Sequence, residues 1–199
     1  MSCIIILSGA LNPVHTGHIK ILCASKNYIE TNINKKVVNG FLCPSSDTYV
    51  KSKLGNHAIK LKHRSVLSNI LINDTKNDWI KVYNKGIASS FKLSCEIYQK
   101  YKNIYGDDLI IYEICGTDCA LKYEIWNKYK RNVICISRNN DYSIIKEKLL
   151  NAKDITSNIM LIEDNASDVS STYISPTNSR LGKFFIGTIL GVASRASIA

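Results

Sequence analysis

The stretch CIIILSGALNPVHTGHIKIL, residues 3–22, decides the fold, because it joins an apolar run to an amphipathic segment through a sharp turn. The β-branched run CIIIL at 3–7 predicts a buried strand, and the apolar spacing after it predicts a helix over 17–31. A strand that passes into a helix in this way is typical of βαβ units and their parallel sheets. The sequence therefore predicts an α/β protein.

The rest of the chain continues the alternation of strands and helices. Further strands are expected at 35–43, 78–83, 108–115, 131–137 and 158–163, and helices at 57–71, 88–103 and 143–151. This order predicts a Rossmann-like, doubly wound and mostly parallel sheet with helices on both faces, as a single domain over 1–199. Ligands of such sheets bind beyond the carboxyl ends of the strands. The unusual residues fall there, in loops at 9–18, 43–53, 116–118 and 169–175.

The charge of the chain favours an anionic partner. Lys and Arg outnumber Asp and Glu by 26 to 16, which gives a net charge of +10 over 199 residues. The basic residues are scattered, so a small phosphorylated ligand explains them as well as RNA does, and a merely basic surface is the remaining alternative. We expect small-molecule substrates and neither a nucleic-acid nor a membrane partner.

The cysteines and the termini bear on the compartment. Seven cysteines without a CxxC pair predict reduced thiols in a cytoplasmic, nuclear or other reducing compartment rather than a disulfide framework or zinc site. The N-terminus has no basic segment before its apolar run, so no signal peptide is expected. The apolar stretch FFIGTILGVA at 184–193 is too short to span a bilayer. It predicts a buried terminal element, with a membrane-touching tail as the alternative.

Two histidines give the turn after the first strand its chemical character. His15 and His18 are three residues apart at the start of the predicted helix, so they would share one face. A helix N-terminus offers N–H groups and a positive dipole end, both of which favour phosphate. Gly9 permits a close approach of the backbone to a ligand. The pair therefore predicts a site for a phosphoryl centre, although a structural pair is the alternative from these residues alone.

Several motifs resemble those of known nucleotidyltransferases. HTGH at 15–18, behind Asn12-Pro13, resembles the (H/T)xGH signature of the nucleotidyltransferase superfamily, and VSSTYIS at 169–175 resembles its ISSTxIR motif. The middle of the chain resembles the nicotinamide mononucleotide adenylyltransferases of eukaryotic type. The segments that carry this second resemblance are GFLCPSSDTYVKSKL (40–54), HRSVL (63–67), DWIKV (78–82), CGTD (115–118) and EIWNKYKRNVICISR (124–138). The resemblance covers 3–175, and 176–199 is atypical.

The resemblance implies a role for each group of site residues. It implies catalytic roles for His15, His18 and Lys51, and ribose binding by Gly116 and Asp118. Lys51 is preferred over Lys53 because it follows Tyr49, and a solvated lysine is the alternative for either. Phosphate binding is expected of Ser8, Gly9, Ala10, Ser170, Ser171, Thr172 and Arg180. The acceptor base is expected to contact Trp126, Leu11 and Asn12, and a core tryptophan is the alternative for Trp126.

Three departures from the family pattern concern the phosphates and the base. Ala10 stands where the family has a small hydroxyl residue, and Tyr83-Asn84-Lys85 contains no second tryptophan. Ser175, followed by Pro176, replaces the closing arginine of the second motif. Proline disfavours helix at the residue before it, so Arg180 could reach the phosphates only if the chain loops back. Arg138 is the next candidate for that cation.

The resemblance implies transfer of AMP from ATP to nicotinamide or nicotinate mononucleotide, which makes NAD or its nicotinate counterpart and pyrophosphate. Mg²⁺ is expected to arrive with ATP, with no metal ligand from protein side chains. A homo-oligomer is compatible with the sequence. Two alternatives remain: an adenylyl- or cytidylyltransferase with another acceptor, and a non-catalytic nucleotide-binding or interaction protein.

Overall fold

Strands and helices alternate along the described part of the chain. The computed structural model describes residues 1–127, 131–137, 141–152, 155 and 157–163, which fall within one compact unit, Met1–Asp168. The strands are β1 Ser2–Gly9, β2 Lys36–Pro44, β3 Ile80–Val82, β4 Ile110–Gly116, β5 Asn132–Ser137 and β6 Asn158–Glu163. The helices are α1 Thr16–Tyr28, α2 Asp47–Leu54, α3 Leu61–Asp74, α4 Ser90–Tyr105, α5 Thr117–Tyr123 and α6 Asp141–Leu150.

The six strands form one parallel sheet in the order β3-β2-β1-β4-β5-β6. The strand order reverses direction between β1 and β4, and the carboxyl ends of these strands form the crevice in which such sheets bind ligands. Gly9 at the end of β1 lies opposite Pro44 of β2, and Leu7 lies opposite Ile114 of β4. The predicted Rossmann-like parallel sheet is confirmed.

The middle of the first strand, residues 3–7, is apolar because both of its faces are covered. Ile4, Ile5 and Ile6 are at most 1% exposed, and successive side chains of a strand point to opposite faces. Ile4 and Ile6 pack against Leu93 and Ile97 of α4. The right-handed crossovers place α1 and α3 on the other face, where they contact β1, β2 and β3. This two-sided burial is why β1 is a continuous apolar run rather than an alternating pattern.

Two helices that the sequence analysis did not predict begin just beyond strand ends. α2 begins inside the segment 43–53, which was expected to be a loop, and this expectation was wrong for residues 47–53. The Ser46 hydroxyl caps α2 by accepting a hydrogen bond from the Tyr49 N–H, and Val50 is the buried side chain of this helix. α5 has only seven residues. Both helices are too short and too polar to show a clear apolar period.

A tryptophan ring covers a glycine in β2. A Cβ atom built on Gly40 would lie 2.5 Å from Cζ3 of Trp79. The Gly40 N–H donates to the Trp79 carbonyl at 2.9 Å, and the Trp79 indole donates to Oδ1 of Asn77 at 3.3 Å. Lys26 places its ammonium 4.8 Å from the ring centroid. The ring is therefore fixed, and β2 needs a residue without a side chain at this point.

We expect Gly40→Ala to lower the free energy of unfolding by about 1–3 kcal/mol, because the added methyl group overpacks the contact with Trp79. Urea denaturation would measure the loss. Gly9→Ala is the matched control, since an ideal Cβ there has no described atom within 4 Å apart from those of Gly9 and its two chain neighbours. Equal stability of Gly40→Ala and the unchanged protein would contradict this packing.

Within the described ranges, no helix is long and apolar enough to cross a bilayer. All seven cysteines lie in these ranges and are free thiols. The stretch 184–193 lies outside the described residues, so its predicted role stays a prediction.

Candidate active site

The carboxyl edge of the sheet brings together three of the four loops that the sequence analysis singled out. The segments 9–18, 43–53 and 116–118 follow β1, β2 and β4, which are adjacent strands. The Gly9 carbonyl accepts a hydrogen bond from the Ser45 N–H at 2.8 Å, which ties the first two loops together. The fourth segment, 169–175, lies outside the described residues.

The turn between β1 and α1 has an unusual backbone. Leu11 has φ of 44°, in the left-handed region that costs a leucine about 1–3 kcal/mol, and it is 2% exposed. The Asn12–Pro13 peptide bond is cis. The Asn12 side chain donates to the His57 carbonyl at 2.9 Å and accepts from the Ile59 N–H at 2.7 Å. The surrounding protein therefore holds Leu11 in a backbone conformation that a leucine alone would not prefer.

The two histidines of the turn lie against each other. His15 caps the N-terminus of α1 and His18 is in its first turn, and their ring centroids are 3.8 Å apart. The His15 N–H donates to Nδ1 of His18 at 3.1 Å. Because Nδ1 accepts this hydrogen bond, the proton of a neutral His18 is on Nε2. His18 is thereby fixed as an Nε2–H donor.

The end of β1 leaves room for a ligand beside the backbone. Apart from Gly9 itself and its two chain neighbours, no atom of the described part of the chain lies within 4 Å of an ideal Cβ at Gly9, and Ser8, Gly9 and Ala10 are half-buried. Such space suits a phosphate that approaches the main chain closely. The Ala10 carbonyl points into the protein, where it accepts from Nη1 of Arg64 at 2.8 Å.

The lysines of the second loop lie on a helix. Lys51 and Lys53 occupy the last turn of α2 and are exposed, whereas the sequence analysis placed them on a loop. Burial raises the pKa of the Cys119 thiol and the Asp118 carboxylate adds to this rise, while the charge of Arg131 and, less strongly, that of Lys53 oppose it. The preference for Lys51 as the phosphate ligand stays a prediction.

A glycine at the end of β4 makes room for a carboxylate. Oδ1 of Asp118 lies 2.7 Å from the position that a Cβ of Gly116 would occupy. Asp118 is exposed in the first turn of α5, so its carboxylate folds back over the strand end. The requirement for glycine is steric, because φ of Gly116 is −82°. A carboxylate at this position can accept hydrogen bonds from ribose hydroxyls.

We expect Gly116→Ala to raise the KM for ATP about tenfold while it leaves the thermal midpoint nearly unchanged. The added methyl group displaces the flexible Asp118 carboxylate, and a hydrogen bond to a charged group contributes about 1.5–3 kcal/mol. Steady-state kinetics and a thermal melt would measure the two effects. An unchanged KM for ATP would contradict the assignment of Asp118 to the nucleotide.

Trp126 lies in the core rather than on an open surface. It is 6% exposed and packs in a cluster formed by α5, β5 and α6. Its neighbours there are Ala120, Ile125, Val133, Cys135 and Ile145. This position favours the core-tryptophan alternative, while stacking on the acceptor base stays a prediction. The Asn12 amide is hydrogen-bonded to His57 and Ile59, and Leu11 is buried. These observations favour a structural role for both residues in the turn rather than direct contact with the acceptor.

The sequence predicts no role for Arg64, which makes several polar contacts at this edge. Its side chain is fully buried and donates to groups in three different loops. A signal was present, because positions 64, 67, 68 and 72 of α3 are buried at helical spacing. An arginine on such a face requires partners, but the sequence does not show which.

The roles of several residues, and the use of Mg²⁺, remain predictions. Ser170, Ser171, Thr172, Ser175, Arg138 and Arg180 lie outside the described residues. In the part of the chain that the structure describes, no group of three or more His, Cys, Asp and Glu side chains could hold a metal ion.

Known proteins that are similar to this chain in sequence include nucleotide adenylyltransferases. No protein-family model matches the chain. A probable nicotinate-nucleotide adenylyltransferase of Fusobacterium nucleatum is 28% identical over 179 residues, which cover 86% of this chain and 84% of that protein. Nicotinamide/nicotinic acid mononucleotide adenylyltransferase 2 of Rattus norvegicus is 22% identical over 102 residues. That match covers 51% of this chain and 31% of the length of the rat protein.

A solved structure shares the fold. Plasmodium falciparum nicotinic acid mononucleotide adenylyltransferase, complexed with NaAD, superposes with a TM-score of 0.57 at 17% identity. The match covers 92% of this chain and 90% of that chain. This likeness supports the Rossmann-like fold, and the names of the sequence relatives support a nucleotidyltransferase enzyme. Because the bacterial relative matches over more of the chain than the rat protein does, the eukaryotic type stays a prediction.

Proposed function

We propose that the protein is a mononucleotide adenylyltransferase that joins AMP from ATP to nicotinamide or nicotinate mononucleotide. The observation that carries this proposal is the paired His15 and His18 at the N-terminus of α1. They follow the open space at Gly9, and the Asp118 carboxylate lies at the end of the neighbouring strand. The site thus combines donors for a phosphate with an acceptor for a ribose. The names of the sequence relatives agree with this chemistry.

The proposed reaction needs no protein nucleophile. A phosphate oxygen of the mononucleotide attacks the α-phosphorus of ATP and forms a new P–O bond. The bond between the α-phosphorus and the oxygen that bridges it to the β-phosphorus breaks. Pyrophosphate leaves with that oxygen and both outer phosphates. Catalysis then consists of positioning the two phosphates and of stabilising the charge on the oxygens of the α-phosphate.

Each site residue has a task in this scheme. The Nε2–H of His18 donates to the α-phosphate, and His15 holds His18 in that tautomer through its N–H. Ser8, Gly9 and Ala10 border the phosphates, and Asp118 accepts the ribose hydroxyls above Gly116. Lys51 supplies positive charge from α2. Ser170, Ser171, Thr172 and Arg180 complete the phosphate site in this proposal.

Mg²⁺ belongs to the proposal only as a companion of the triphosphate. In this proposal the ion comes with ATP and neutralises its outer phosphates. The steps above are assigned to the side chains and the backbone of the protein itself.

The identity of the acceptor is tested by initial rates with nicotinamide mononucleotide and nicotinate mononucleotide at fixed ATP, with pyrophosphate release as the readout. We expect a dinucleotide product with at least one of them. CTP in place of ATP, and other phosphorylated acceptors, test the alternative of a related transferase. Binding of ATP without turnover of any acceptor would favour the non-catalytic alternative. The replacement of the motif arginine by Ser175 is the observation that keeps this alternative open.

A further inference from the structure

Arg64 connects the loops that surround the proposed site. Its Nε donates to the Ile59 carbonyl, its Nη1 to the Ala10 carbonyl and its Nη2 to the Ser45 carbonyl, each at 2.8 Å. Nη2 also lies 2.9 Å from Oδ1 of Asp47. The side chain of Arg64 is 0% exposed, so the acceptors replace water around all three nitrogens of the guanidinium group.

The partners of Arg64 belong to the segments that carry the reacting groups. Ala10 is in the turn that leads to His15 and His18, whereas Ser45 and Asp47 bracket the start of α2, which carries Lys51. Asp47 also accepts a hydrogen bond from the Leu61 N–H at 2.5 Å, which ties α2 to the first residue of α3.

A second connection reinforces the first. The Asn12 side chain holds the His57 carbonyl and the Ile59 N–H, and Arg64 holds the carbonyl of the same Ile59. The β1–α1 turn is thus attached to the segment before α3 at two points, Ala10 and Asn12. These contacts lie at the carboxyl edge, whereas the apolar cluster around α4 lies on a face of the sheet.

We propose that Arg64 is a positioning residue, which sets the spacing between the β1–α1 turn and α2 that phosphoryl transfer requires. This inference rests on the proposed function of the same site. A displacement of about 1 Å from a change away from the reacting atoms can cost on the order of 10² in rate. Arg64 contacts the main chain behind the turn, so it acts through the groups that the turn presents.

Lysine cannot replace arginine in this role. The planar guanidinium group directs five N–H groups along fixed directions, whereas an ammonium group is a single point at the end of a flexible stem. Arg64→Lys keeps the positive charge beside Asp47 but cannot reach the carbonyls of Ala10, Ser45 and Ile59 together. The substitution therefore separates the effect of the hydrogen bonds of Arg64 from the effect of its positive charge.

The test compares Arg64→Lys with Arg131→Lys in the full chain, by steady-state kinetics and thermal melts with ATP and the accepted mononucleotide. Arg131 is the matched control, because its guanidinium group also pairs with a carboxylate, that of Glu113, and donates to the Ser90 hydroxyl at 2.7 Å. We expect both variants to lose thermal stability. We expect only Arg64→Lys to lower kcat, by roughly 10- to 100-fold, with the KM for ATP changed less than about threefold.

Asp47→Asn is the second variant, which decides the question if Arg64→Lys does not fold. It weakens the attachment of α2 and leaves the three carbonyl contacts of Arg64, so a smaller loss confined to kcat is expected. Unchanged kcat in the folded Arg64 and Asp47 variants, or an equal loss of kcat in Arg131→Lys, would overturn the positioning role. No turnover by the unchanged protein would instead refute the proposed function, and this inference would fail with it.

Discussion

His18→Ala is expected to lower kcat by about 10²–10³-fold, which corresponds to roughly 2.7–4 kcal/mol of transition-state stabilisation. The substitution removes the Nε2–H donor, whose tautomer is fixed by the hydrogen bond from the His15 N–H to Nδ1. Charge on the oxygens of the α-phosphate changes during transfer, so the lost donor affects the transition state more than bound ATP. Steady-state kinetics and ATP titration would measure the two effects.

His63→Ala is the matched control for this prediction, because His63 is exposed on α3. It should leave both kcat and ATP binding close to those of the unchanged protein. His18→Gln keeps an N–H donor and should recover part of the lost rate. A folded His18→Ala protein with near-normal kcat would remove His18 from the transition state.

Trp126→Ala is expected to lower the free energy of unfolding by about 3–5 kcal/mol, because it empties a large volume in the cluster between α5, β5 and α6. The loss should appear in urea denaturation and should affect both substrates alike in kinetics, once the folded fraction is taken into account. Trp126→Phe, which retains most of the apolar volume, should recover much of the stability.

The opposite outcome would support the stacking role that the family resemblance implies for Trp126. In that case Trp126→Ala would raise the KM for the mononucleotide selectively, with the KM for ATP and the unfolding free energy nearly unchanged. The 6% exposure of the side chain favours the loss of stability.

The sheet could be predicted from the sequence because each strand is marked by an apolar run of neighbouring residues. The apolar runs in β1 and β5 are continuous, those in β2 and β4 are interrupted only by Asn39-Gly40 and by Glu113, and the alternation of the runs with helices specifies parallel pairing. α2 and α5 could not be predicted in this way. Their start is set by strand ends and by caps such as Ser46, and they bury few apolar residues.

The candidate site was predictable only in part. The i, i+3 spacing of His15 and His18 predicts a shared face, and the structure places the two rings in contact. The contacts of Arg64 join residues 5 to 54 positions away, so no local pattern encodes them. For Trp126 the sequence left the core and stacking roles open, because a lone aromatic residue has no period that reveals its surroundings.

The fate of the α-phosphate of ATP tests the proposed function most directly. The purified protein would be incubated with a mononucleotide and with ATP labelled either at the α- or at the γ-phosphorus. We predict that the α-label moves into a dinucleotide and that the γ-label leaves in pyrophosphate, in equal amounts. Transfer of the γ-label to the acceptor, release of the α-label as free AMP, or ATP that binds but stays intact with every acceptor would contradict adenylyl transfer at this site.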